Sequence, residues 1–137
     1  MEGYIAEIFA QLLGAPREKA GLVLFSITNF YSWLTIIDDL IAIDDTFTPI
    51  KDEWGQIAKK LKELNDTRVR LAHHTSFGIE GMIGLLPSHL DKRPKSQKYE
   101  PLNNTQIDKF CDDVEAIMTR IIALHRAIHS LPRKSVE

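Results

Sequence analysis

Apolar residues recur at intervals of three and four residues over the last part of this 137-residue chain. The members of this repeat are Ile107, Phe110, Val114, Ile117, Ile121, Leu124 and Ile128. Residues at this spacing fall on one side of an α-helix, so the repeat predicts a long amphipathic helix with one buried face. Because other elements must cover that face, the repeat favours a helical bundle.

Two helices are predicted in the first third of the chain. The first runs from Gly3 to Leu13 and stops at Gly14, a residue that is common just after a helix. The second begins at Pro16, a favoured first-turn residue. Its apolar positions again step by three and four: Val23, Ile27, Phe30, Leu34, Ile37 and Ile41.

Two more helices are predicted further along. The third should begin with Thr48 as its N-cap and Pro49 as its first helical residue. Its inner stripe should contain Trp54, Ile57, Leu61, Leu64, Arg68 and either Leu71 or Ala72. The fourth helix is the long one, and it should open at Thr105, with Asp108 completing a capping-box variant.

A long glycine- and proline-containing excursion, residues 75–104, separates the third and fourth predicted helices. Its apolar first half, Phe77 to Leu86, is compatible with a short hairpin. The pattern as a whole predicts an all-α, four-helix, up-and-down-like bundle with one excursion. We expect residues 1–137 to form a single domain.

Composition narrows the class of protein further. The formal net charge is −2, so the chain lacks the overall positive field of a dedicated nucleic-acid binder, and RNA binding would need a local patch. The single cysteine, Cys111, rules out an internal disulfide and fits a reducing compartment. No cationic leader follows Met1, and polar residues interrupt the apolar stretch from Leu22 to Ile43. We therefore expect a cytoplasmic protein that does not enter a membrane.

Arg68 is the residue that points most clearly to chemistry. On an ideal helix it lies within about 40° of Trp54, Ile57, Leu61 and Leu64, on the predicted inner stripe. A guanidinium in such a place needs an anion, an acceptor or a ligand. His73 lies five residues later, about 140° away around the same helix. The two groups would meet if the helix ended or distorted near Ala72, or across a dimer axis.

The run Arg68-Val69-Arg70-Leu71-Ala72-His73 resembles the motif of the HEPN superfamily of small helical-bundle proteins. That family carries an Arg, usually followed by Asn, and then a His after four to six intervening residues. The Leu-Ala-His ending and the position late in a bundle helix also match. Val69 stands where the family usually has Asn. Asn65, one turn before Arg68 on the same side, is a candidate for a substitute amide.

The resemblance implies a homodimer in which two motifs face one cleft. It also implies association with RNA and, in many members, metal-independent ribonuclease activity of the kind found in toxins paired with an antitoxin protein. Arg68 would then hold the phosphate, and His73 would move a proton at the ribose hydroxyl or the leaving oxygen. No cofactor and no metal is expected. Other members only bind RNA, nucleotides or proteins, so an inactive interaction module is the alternative.

The residues by themselves leave a purely structural alternative. Arg68 would then be a buried cation paired with Asp38, Asp39 or Asp66, and His73 would cap the helix end. Weaker candidates for substrate or partner binding are Asn65, Arg70, His74, Lys92, Arg93 and Lys95. The basic members of this set are compatible with a phosphate-contacting surface, although we favour the interpretation that they are solvated helix and loop charges.

Three other groups of residues have mainly structural interpretations. His125 and His129 have the one-turn spacing of metal ligands, but no carboxylate completes the set, so we interpret them as partly exposed helix-end histidines. Cys111 is expected in the core. The aromatic residues Phe25, Phe30, Tyr31 and Trp33 are interpreted as packing or dimer contacts.

Overall fold

Helices dominate the computed structural model, which describes residues 1–73, 75–79, 82–86 and 102–132. The described helices are α1 (Glu2–Leu13), α2 (Arg17–Ser26), α3 (Phe30–Ile43), α4 (Lys51–His73) and α5 (Asn104–Ser130), with a 3-10 helix over Asp45–Ile50. Three short strands, β1 (Thr75–Ile79), β2 (Met82–Leu86) and β3 (Leu102–Asn103), lie between α4 and α5. The predicted all-α helical bundle is confirmed.

The chain divides into two compact units. One contains residues 1–60 and 117–137, and the other contains residues 61–116. The division falls inside α4 and inside α5, so each of these helices contributes to both units. The first unit holds most of the described core. Its buried apolar residues include Ile5, Ile8, Leu24, Leu34, Ile37, Trp54, Ile57, Ile117 and Ile121.

The prediction of one continuous second helix is wrong, because this part of the chain forms two helices, α2 and α3. α2 ends at Ser26, and Asn29 caps α3 by accepting a hydrogen bond from the backbone N–H of Tyr31 at 2.9 Å. Trp33 stabilises the break, since its indole N–H donates to the carbonyl of Ile27 at 2.7 Å. Apolar spacing alone hid this break, although Asn29 is a favoured N-cap residue.

The predicted starts of the last two long helices also shift. Asp44 caps the 3-10 helix by accepting from the N–H of Thr46, and that helix leads directly into α4 at Lys51, so Thr48 is not an N-cap. At α5 the capping box forms between Asn103 and Gln106, with each side chain accepting from the other's backbone N–H at 2.8 and 2.9 Å. The box therefore lies two residues before the predicted Thr105 to Asp108 pair.

The predicted hairpin is confirmed within the excursion. β1 pairs antiparallel with β2 in a register that places Thr75 opposite Leu86 and Ile79 opposite Met82. β3 adds to the other edge of β2, giving the strand order β1-β2-β3. Among the described residues, no helix has the length and apolar character needed to cross a bilayer.

A two-point ion pair joins α4 and α5 in the first unit. Arg120 donates from Nε and Nη2 to the two carboxylate oxygens of Glu53 at 2.8 and 2.9 Å, and Nη2 also donates to Gln56. These hydrogen bonds, together with the charge of Arg120, lower the pKa of Glu53 below 4.5. Since both side chains are more than one third exposed, water limits the contribution to about 0–1 kcal/mol.

We expect this contribution to depend on pH in a defined direction. A lowered pKa in the folded state means that the stabilisation is present above pH 4.5 and is lost as the pH falls through the lower folded value. Wild type should therefore be slightly more stable than Glu53→Gln in urea titrations near neutral pH. The difference should vanish in strongly acidic buffer. A difference that grew on acidification would contradict this account of the pair.

Candidate functional site

The buried stripe of α4 ends before Arg68. Leu61, Leu64 and Asn65 are buried, at 1%, 7% and 8% exposure, but Arg68 is exposed. The prediction that Arg68 lies on an inward-facing stripe is therefore wrong. The face of a helix is buried only along the length over which another part of the protein packs against it. In the second unit, the described side chains of α5 from Asn104 to Ala116 are likewise exposed or half-buried.

Asn65 holds Arg68 from one turn earlier. The Nε of Arg68 donates to Oδ1 of Asn65 at 3.3 Å, a distance at the long end for a hydrogen bond. Asn65 is a buried polar residue, so its amide is a fixed support for a guanidinium that itself reaches solvent. The predicted position of Asn65 beside Arg68 is confirmed. Its functional role stays a prediction.

The structural alternative for Arg68 is wrong in its main premise. That alternative required a buried cation, and Arg68 is exposed. Asp38, one of its proposed partners, accepts a hydrogen bond from the indole N–H of Trp54. An exposed guanidinium does not need a buried anion, because water solvates it.

His73 is the last residue of α4, and the helix runs without interruption to it. The two positions of the motif are therefore joined by a five-residue step of regular helix, with four residues between them. That spacing corresponds to about 140° of rotation and about 7.5 Å along the axis. One of the two ways in which Arg68 and His73 were predicted to meet was a helix that ends or distorts near Ala72, and α4 does end one residue later, at His73. Whether this end brings the two side chains together stays a prediction. The meeting of two copies stays a prediction.

The side chains of most other predicted site residues lie outside what the structure describes. Arg70 lies in α4, but its side chain is outside what the structure describes. His74, Lys92, Arg93 and Lys95 all lie outside the described residues. The predicted basic surface over 92–95 is therefore still a prediction.

The described part of α5 in the second unit is acidic. Asp108, Asp112, Asp113 and Glu115 accompany only one cation, Lys109, between residues 104 and 116. Lys109 donates to Asp113 at 2.8 Å, and this hydrogen bond raises the pKa of the ammonium group above 10.5. By contrast, the motif on α4 itself contains two basic residues, Arg68 and Arg70. An anionic ligand is therefore favoured at α4 rather than at this part of α5.

A polar cluster in the first unit was not predicted. Glu7 on α1 lies 3.1 Å from Nη2 of Arg17 and 3.4 Å from Nε2 of His125, and the ring of Tyr4 meets His125 edge-on. Glu7, Arg17 and His125 border a cavity of about 550 Å³ at the turn between α1 and α2. His125 is partly exposed, as expected, but it lies before the last turn of α5 and contacts Glu7, so the helix-end part of its interpretation is wrong. No sequence signal links Glu7 to His125, because they come from distant parts of the chain.

Two minor predictions have clear outcomes. Cys111 is exposed, so its expected place in the core is wrong. His129 is exposed, as expected for a helix-end histidine. Within the described ranges, no group of three or more His, Cys, Asp or Glu residues is placed to hold a metal ion.

Comparison of the chain with models of known protein families found no match, and searches of curated proteins and of solved structures also found none. The resemblance of residues 68–73 to the HEPN motif therefore rests on those residues and on their position late in a bundle helix.

Proposed function

We propose that this protein is a HEPN-like, RNA-associated domain that cleaves RNA without a metal ion, through Arg68 and His73 at a cleft between two copies. The observation that carries this proposal is the exposed guanidinium of Arg68, supported by the buried amide of Asn65. An exposed arginine on a fixed support is suited to bind a phosphate from solvent. The five-residue step to His73 supplies the proton-transfer group that such a reaction needs.

The chemistry would follow from these two groups. Arg68 would bind the scissile phosphate and stabilise the extra negative charge of the transition state. One imidazole would take the proton of the ribose 2′-hydroxyl, whose oxygen would attack phosphorus. A protonated imidazole would then donate to the departing 5′ oxygen. The products would be a 2′,3′-cyclic phosphate and a 5′-hydroxyl end.

The regular helix makes a second copy part of this proposal. Because positions 68 and 73 diverge by about 140°, one α4 does not direct both toward the same phosphate. A two-fold arrangement would pair Arg68 of one copy with His73 of the other. Homodimerisation is thus a requirement of the chemistry as well as an implication of the family resemblance.

A second candidate function is a binding module without catalysis. It is favoured by Val69 and Leu71, which are 38% and 39% exposed beside Arg68 on α4. Exposed apolar residues around an arginine are typical of a protein-binding surface. In this case Arg68 would anchor a protein partner, such as an antitoxin, and His73 would be dispensable.

An RNA-cleavage assay in the presence of a chelator separates the two candidates. We expect the purified protein to cut a mixed RNA pool and to leave 2′,3′-cyclic phosphate ends. His73→Ala should lower the rate by about 10²–10⁴-fold, the usual contribution of a general acid or base. His129→Ala is the matched control, because His129 is an exposed histidine of α5, and it should cut at the wild-type rate.

An intact RNA pool would exclude the nuclease and leave the binding module. Equal rates for wild type and His73→Ala would show that the activity has another source.

A further inference from the structure

We draw no further inference here: the strongest candidate, the apolar surface patch that α2 presents at Leu22, Val23 and Phe25 beside the groove between α1 and α2, carries none, because nothing in the structure shows what covers it.

Discussion

Trp54→Ala should destabilise the protein by about 3–5 kcal/mol, the range for removing a large aromatic side chain from a core. Trp54 is 1% exposed, and it belongs to the buried face of α4 in the first unit. Its indole N–H also donates a hydrogen bond to Asp38 of α3, so the side chain combines apolar packing with a polar tether. The truncation leaves a cavity and also removes this donor. Urea titration followed by circular dichroism measures the loss.

Trp54→Phe separates the two contributions. Phenylalanine retains most of the apolar volume but lacks the donor, and Asp38 is half-buried, so water can replace part of the lost hydrogen bond. We expect a loss of about 1–2 kcal/mol, well below that of Trp54→Ala. Leu22→Ala, at an exposed position of α2, should change stability by about 0.5 kcal/mol or less. If the two Trp54 variants lost the same amount of stability, apolar packing would not be the larger of the two contributions, and this account would be contradicted.

Arg68→Ala should lower RNA cleavage by about 10²–10³-fold, the usual cost of removing one group that stabilises transition-state charge. The fold should be unaffected, because Arg68 is exposed and surface substitutions of this kind cost about 0.5 kcal/mol or less. Arg68→Lys keeps the charge but loses the planar fork and the Nε contact with Asn65. It should recover only part of the rate. Single-turnover cleavage of a short RNA measures all three proteins.

Arg126→Ala provides the control for charge alone. Arg126 is an exposed arginine of α5, so its loss changes the net charge by the same amount as Arg68→Ala. We expect the wild-type rate from Arg126→Ala. A fall in rate of the same size in both variants would mean that nonspecific charge, and not the position of Arg68, supports RNA binding.

The sequence predicted much of the helical core correctly. Apolar spacing located the buried residues of the second half of α3, of α4 up to Leu64 and of the end of α5, because burial follows the helical period wherever a neighbouring helix is present. It missed the break between α2 and α3. The apolar pattern runs on from Val23 to Phe30, and the cap at Asn29 acts through one hydrogen bond that no periodicity reveals.

The candidate site shows the limit of the same reasoning. Extending the α4 stripe placed Arg68 inside the protein, but the period of a helix says only which residues share a face, not how far that face is covered. The Asn65 contact was predictable because it is local, three residues from Arg68. The Glu7–His125 contact was not predictable, since it depends on how α1 and α5 pack.

Mixing two inactive variants tests most directly whether the site is built from two copies. Arg68→Ala and His73→Ala should each be nearly inactive alone. After they are mixed and allowed to exchange subunits, the cleft of each mixed dimer contains one intact pairing, of Arg68 from one copy with His73 from the other. We expect cleavage to return to a measurable fraction of the wild-type rate, with 2′,3′-cyclic phosphate ends. Mixed dimers that form, as shown by differently tagged copies, but cut no RNA would contradict the proposed site.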